Sequence, residues 1–278
     1  MERMPLGISE LDSIVGGGPP TGSVVLLAGD SGAGAREFCY TSAATNALAH
    51  ADDELFELYY GSLADDVTLP EEIHYLSFTR DRPAIESEMT FVMESAMIEA
   101  AVERIEFADL SGEYFGLTPV PSEWYAETPA EITSLADRGS RRDVYDALGS
   151  YLSEHAAGNL VVIDSITDLA AGAGSEYGFA DLSMMLRGLT RVAHRWNGLV
   201  LLLASVEPLD STELGTLKSA ADGTLRFAWD TGGSQRARTL VVEQFRGVLS
   251  RLREENVVRF ETEIRDAGFD ISNVRKIR

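Results

Sequence analysis

Val24-Val25-Leu26-Leu27-Ala28 is an unbroken apolar run. A strand with one wet face would alternate, so this pattern predicts a strand covered on both sides. Similar runs follow at Ile73-His74-Tyr75-Leu76-Ser77-Phe78, Leu160-Val161-Val162-Ile163 and Leu199 to Ala204, with a shorter one at Ile105-Glu106-Phe107. Between them the spacing becomes helical. An amphipathic segment spans Ile8 to Val15, and a helix is expected from near Ala35 to about Ala49. A second helix is expected from Pro83 to about Val102, with Met89, Val92, Met93, Ala96 and Met97 recurring on one face. Further helices are expected over 129–156, broken around Gly139, and from about Ala180 to Trp196. The remainder reads as strands: Thr224 to Trp229, Thr239 to Phe245, Val257 to Glu263 and a short end at Phe269 to Ile271.

Strands that alternate with helices and then follow one another directly predict one α/β domain over 1–278. It has a mostly parallel central sheet, flanking helices and a β-rich C-terminal edge. The acidic stretch 51–72 and the turn-rich stretch 108–127 read as surface insertions, and no internal repeat is found.

Charge narrows the picture. Asp and Glu number 45 against 23 Lys and Arg, for a net charge of -22, and the only lysines are Lys218 and Lys276. Carboxylates spread along the whole chain resemble the surfaces of proteins from extreme halophiles, where salt screens the self-repulsion. An acidic partner-binding surface is the rival reading. Either argues against broad nonspecific binding to nucleic acid. No run of about 18 apolar residues predicts a membrane span. The start, Met-Glu-Arg-Met-Pro, has no leader pattern, so a cytoplasmic location is expected. The single cysteine, Cys39, sits in an apolar helical pattern and reads as core.

The candidate chemistry lies between the first buried strand and the first long helix, at Gly29-Asp30-Ser31-Gly32-Ala33-Gly34-Ala35-Arg36. A phosphate loop of the form G-x-x-x-x-G-K-[ST] needs glycines so that backbone N–H groups can wrap phosphate oxygens. Its lysine neutralises the β and γ phosphates, and its hydroxyl helps hold Mg²⁺. Here the glycine frame is kept, but Ala35 stands for the lysine and Arg36 for the hydroxyl residue. Asp164, closing an apolar strand, matches the acid that orders the metal shell and would be the metal ligand wherever Mg²⁺ is bound.

The opening, Pro5-Leu6-Gly7-Ile8-Ser9-Glu10-Leu11-Asp12 and then Gly16 to Leu27, resembles that of KaiC-like proteins of the RecA superfamily of P-loop ATPases. Asp164-Ser165 is similar to the family's Walker B end. Ala220-Ala221-Asp222-Gly223 and Gln244-Phe245-Arg246-Gly247 are similar to later landmarks. The resemblance implies a RecA-like fold, ATP as ligand with or without Mg²⁺, and assembly with further copies or with a KaiC/RecA-like homologue. It also exposes losses. Thr79 and Arg80 stand where the family carries paired glutamates, and Gln244 replaces a frequent lysine. Phosphoryl transfer is mostly positioning and charge stabilisation, so the expectation is a degenerate, non-hydrolysing member with no confident catalytic residue. It would act as a regulatory or assembly partner. An ATPase with compensating residues and a DNA-associated accessory protein are the alternatives.

Three arrangements stay open for Arg36: pairing with Asp164 in the metal position, binding phosphate itself, or pointing into solvent. His50, His74, His155 and His194 show no ligand spacing, so no zinc site is expected. The acid pairs Asp65-Asp66 and Glu71-Glu72 read as solvated surface. The arginines at 236, 238, 246, 251, 253, 259, 265, 275 and 278 are interleaved with acids, without an aromatic platform. They read as ion-pair partners rather than a nucleic-acid surface.

Overall fold

The computed structural model describes residues 2–64, 66–116, 118–125, 144–172, 178–230, 237–245, 248 and 257–276, without the side chains of 171–172, 257–258 and 275–276. The part 129–143 of the helix expected over 129–156, most of the loop at 171–178, and Arg236, Arg246, Arg251, Arg253 and Arg278 lie outside these residues.

Among the described residues nine strands form one sheet: β1 (Ser23–Gly29), β2 (Ile73–Ser77), β3 (Ile105–Asp109), β4 (Leu160–Asp164), β5 (Leu199–Ser205), β6 (Gly223–Asp230), β7 (Ala237–Phe245), β8 (Val257–Arg265) and β9 (Gly268–Lys276). Their order is β3-β2-β4-β5-β1-β6-β7-β8-β9. The first six run parallel, and β7, β8 and β9 add antiparallel to the edge. The α/β class and the β-rich C-terminal edge are therefore as the apolar runs imply.

The buried strands separate two cores. Val25 and Leu27 face one side with Phe38, Tyr75 and Met97. Val24, Leu26 and Ala28 face the other with Leu148, Leu182 and Leu186. This alternation follows from the two-residue period of a strand. The helices of the first side are α1 (Ser9–Val15), α2 (Ala35–Ala51), α3 (Asp53–Tyr59), α4 (Arg82–Met89) and α5 (Ser95–Ala101). A short α6 (Ser111–Phe115) follows β3. Then come α7 (Val144–His155), α8 (Ile166–Gly172), α9 (Phe179–Trp196) and α10 (Ser211–Ala220).

Several elements depart from the sequence reading, among them the short helices α3, α6 and α8, which it did not contain. The helix expected from Pro83 to Val102 is two helices, α4 and α5. Glu94 N donates to Asp266 O at 2.8 Å, and Met93 bridges to Ala267, so contact with the β8–β9 turn takes the chain out of helical register. Helix α10 has no apolar stripe that announces it, but Asp210 accepts from Thr212 N and Glu213 N while Glu213 returns a bond to Asp210 N, a capping box. Strand β9 runs well past Ile271 because it pairs along β8. Within 51–72, α3 has no fully buried residue, and Leu55, Phe56 and Tyr59 pack half-buried on the first core.

Asp12 anchors the opening segment. Its carboxyl accepts from Leu6 N and Gly7 N, each at 2.9 Å, and from the Tyr60 hydroxyl at 3.2 Å. Asp222 ties β6 to β1 by accepting from Val24 N at 3.1 Å. Among the described residues no helix is long and apolar enough to cross a membrane.

Candidate functional site

The parallel strands end in register along one edge: Gly29 lies beside Ser205, and Ser77 beside Asp164. The segment 29–36 leaves β1 at this edge and enters α2, so loop and Asp164 meet across β5. Gly34 has φ +107°, and a Cβ there would lie 2.9 Å from the Phe269 ring. Only glycine takes this turn without strain, which is why the loop can open directly into the helix. The loop borders a cavity of about 320 Å³ whose lining includes Gly32, Arg36, Tyr40, Glu88 and Phe91.

Arg36 is the second residue of α2, and its guanidinium grips Asp164 with two bonds. Nε donates to Oδ2 at 3.1 Å, and Nη2 donates to Oδ1 at 3.0 Å. The Tyr75 hydroxyl donates to Oδ2 at 2.9 Å. A second guanidinium, that of Arg80, stands 3.6 Å from the same oxygen and 3.3 Å from Glu88 Oε1. Tyr40 closes the circuit by donating to Glu88 Oε2 at 2.6 Å.

Asp164 is 2% exposed, and such a charge is tolerated only when paired and hydrogen-bonded. Burial works against the Arg36 charge, but the adjacent Asp164 carboxylate outweighs it and raises the guanidinium pKa. Burial, reinforced by Asp164, pushes the Tyr75 hydroxyl well up, so it remains a donor. Tyr40 is raised by burial and by its bond to Glu88. Of the three arrangements open for Arg36, the structure shows the pairing with Asp164.

The loop backbone is also engaged within the chain. Ser31 N donates to Glu207 Oε1 at 2.5 Å, so a carboxylate from the turn after β5 meets an amide that a phosphate loop turns toward anions. Ser31 O accepts from Trp229 Nε1, and Gly32 O accepts from Arg238 Nε, each at 3.0 Å. Asp30 pairs with Arg226 at 2.5 Å, and Ala33 N returns to Asp30 O at 2.9 Å.

The remaining sequence candidates are placed apart from this circuit. Thr79 is exposed, with its N–H directed to Ser77 Oγ at 3.3 Å. Ser165 Oγ turns to Asp168 at 2.7 Å and to Thr167 at 2.9 Å rather than to the loop. Gln244 pairs in register with Thr224, near the opposite end of β6 from the loop. Ala35 is buried, and a Cβ built on Gly29 would lie 2.6 Å from its own.

Tyr75, Glu88, Glu207, Trp229 and Arg238 were not distinguishable as site residues in the sequence. Only the sequence neighbourhood of Tyr75, in the strand before Thr79-Arg80, carried a signal. Of the C-terminal arginines, Arg265 pairs with the interleaved Glu263 and also with Asp270 at 3.1 Å, and Arg259 pairs with Asp230 at 2.9 Å, an acid from outside the interleaved set. The histidines, read as scattered, are not all apart: the rings of His74 and His155 have centroids 5.2 Å from one another. Sheet pairing and helix packing bring them together, which spacing along the chain does not record.

The residues present do not fit a magnesium nucleotide. Asp164 is covered by Arg36 and Tyr75 with Arg80 alongside, and no hydroxyl side chain stands at position 36 to share a cation.

No protein-family model matches the chain, and no curated protein matches it. Solved structures do. The chain is similar to a KaiC-like protein from the hyperthermophilic archaeon Pyrococcus horikoshii OT3, with a TM-score of 0.59 and 15% identity, covering 98% of this chain and 99% of that one. It is similar to the flagellar accessory protein FlaH of Methanocaldococcus jannaschii, with a TM-score of 0.60 and 14% identity, covering 95% of each chain. At this identity the likeness establishes the RecA-like fold.

Proposed function

We propose that this chain is a single RecA-like P-loop domain that does not hydrolyse ATP and serves as a regulatory or assembly partner, with weak or no nucleotide binding. One observation carries the reading: the Arg36 guanidinium occupies Asp164 through both carboxylate oxygens, where a metal-ordering acid would have to be open. An internal ion pair thus replaces the cation, and Glu207 meets the Ser31 amide as an internal anion. Lys218 supplies no replacement charge, because it pairs with Glu243 at 2.6 Å. Hydrolysis needs charge on the phosphates, a metal and an oriented water, and Ala35, Arg36, Thr79 and Arg80 provide for none of these together.

Phe91 lines the cavity and is 83% exposed, which supports a binding rim for a second copy or a KaiC/RecA-like homologue. The carboxylate-rich, lysine-poor surface supports function at high salt. A second reading, an ATPase with a displaced acid, draws on Glu88, which also lines the cavity. Its oxygens are held by Tyr40 and Arg80, which orients it away from free base chemistry.

The test is a nucleotide titration at high salt, with and without Mg²⁺, together with a turnover assay. Little binding, no gain from Mg²⁺ and no turnover are expected. Tight Mg²⁺-dependent binding with turnover lost in Asp164→Ala would overturn the reading, and turnover lost in Glu88→Gln would favour the second.

A further inference from the structure

At the edge of the sheet opposite the phosphate loop, three metal-ligating side chains converge from separate parts of the chain. Glu72 immediately precedes β2, His74 is the second residue of β2, and His155 closes α7. One ligand atom from each lies within 4.8 Å of the other two. His74 Nε2 is 3.2 Å from Glu72 Oε2. That is close to the roughly 3.3 Å edge of a tetrahedron with metal–ligand bonds of about 2.0 Å.

We propose that Glu72, His74 and His155 bind a borderline divalent metal ion, best matched by Zn²⁺, which clamps the C-terminus of α7 to the N-terminal edge of the sheet. The donor set decides the metal class. Two imidazoles and one carboxylate suit zinc and its first-row neighbours, whereas Mg²⁺ and Ca²⁺ require more oxygen ligands. Three protein ligands leave a fourth position for water or an exogenous group.

The support around the ligands is already built. The Tyr151 hydroxyl lies 2.9 Å from His74 Nδ1, so it can accept the Nδ1 proton and leave Nε2 unprotonated; Nε2 faces Glu72 Oε2 at 3.2 Å and Asn159 Nδ2 at 3.3 Å, and an ion there takes the place of the Asn159 contact. Tyr151 is one helical turn before His155, so the same face of α7 supplies both a ligand and the group that orients another. Asn159 joins the two sides: its Oδ1 accepts from Glu72 N at 2.9 Å, and its Nδ2 donates to His155 O at 2.7 Å. His74 is buried and fixed. His155 and Glu72 are 34% and 61% exposed, which leaves their side chains room to close on an ion.

The experiment uses the full chain, stripped with chelator and kept at high salt, with Zn²⁺ titrated against a chromophoric chelator. Co²⁺ substitution reads the ligand geometry by absorption. One Zn²⁺ per chain is expected, not displaced by excess Mg²⁺, with an intense tetrahedral Co²⁺ spectrum. His155→Ala and Glu72→Gln should each weaken binding by more than about tenfold, and Tyr151→Phe, acting only through His74, by about tenfold. Zn²⁺ should raise the melting temperature of the unsubstituted chain but not of His155→Ala. Both ligand variants alter partly exposed side chains, and circular dichroism checks their folding. Absence of stoichiometric binding would overturn the proposal. So would binding that His155→Ala and Glu72→Gln leave unchanged, which would assign the zinc to surface carboxylates. The outcome is independent of nucleotide binding, because the two sites lie at opposite edges of the sheet.

Discussion

Two substitutions, Ala35 for a lysine and Arg36 for a hydroxyl residue, change what the loop can hold. The first removes charge aimed at phosphate, and the second turns a metal ligand's position into a cation tethered to Asp164. Reversing both should reopen the site. Ala35→Lys/Arg36→Thr is expected to gain Mg²⁺-dependent ATP binding by at least about tenfold, equivalent to about 1.4 kcal/mol, without gaining turnover, since Thr79 and Arg80 still lack the acid. Calorimetry with ATP and a phosphate-release assay check the two halves separately.

Asp12 yields a pH prediction. Burial pushes its carboxyl up to about 7, against the bonds from Leu6, Gly7 and Tyr60 that favour the ionised form. The folded pKa lies above the unfolded one, so the contribution to stability is complete below about 4 and is lost as pH rises through about 7. Relative to Asp12→Asn, the unsubstituted chain should therefore lose on the order of 4 kcal/mol of advantage between pH 4 and pH 8. Urea midpoints at fixed salt measure this. A flat difference would mean that the three donors keep the carboxylate ionised.

At the scale of elements, the junction of β1, loop and α2 depends on backbone that only glycine supplies. Gly34→Ala would place a side chain at φ +107° and against Phe269. It should cost about 2–4 kcal/mol from strain and overpacking combined. Gly149, inside α7, has open space where its Cβ would go. Gly149→Ala should instead stabilise by about 0.5–1 kcal/mol. Denaturant midpoints of the two variants should move in opposite directions.

The elements read well where periodicity is local and strong, as in β1, β4, β5 and α9. They read poorly where a distant partner decides the backbone. The break between α4 and α5 follows from Glu94 bonding Asp266 across the fold, and the extent of β9 follows from β8. Helix α10 was legible in principle, from Asp210 and Glu213 three residues apart.

For the molecule as a whole, a net charge of -22 sets a repulsion that salt must screen. The Debye length falls from about 10 Å at 0.1 M to about 3 Å at 1 M. The melting temperature should accordingly rise steeply as KCl increases over that range, and more slowly beyond it. Scanning calorimetry across the salt series checks this, and no rise would count against adaptation to high salt.

The order of apolar runs and helical stretches determined the parallel sheet. The glycine frame determined the loop, and Ala35 and Arg36 determined what that loop lacks. All of these are written in neighbouring residues, because strand period, helix period and turn chemistry act over a few positions. Only the tertiary structure decided that Arg36 takes Asp164 while Arg80 joins it with Glu88, that Glu207 meets Ser31, and that Glu72, His74 and His155 share a corner. Those meetings depend on the strand order β2-β4-β5-β1 and on helices laid across it. Contacts between residues far apart in the chain arise from packing, for which no local pattern exists.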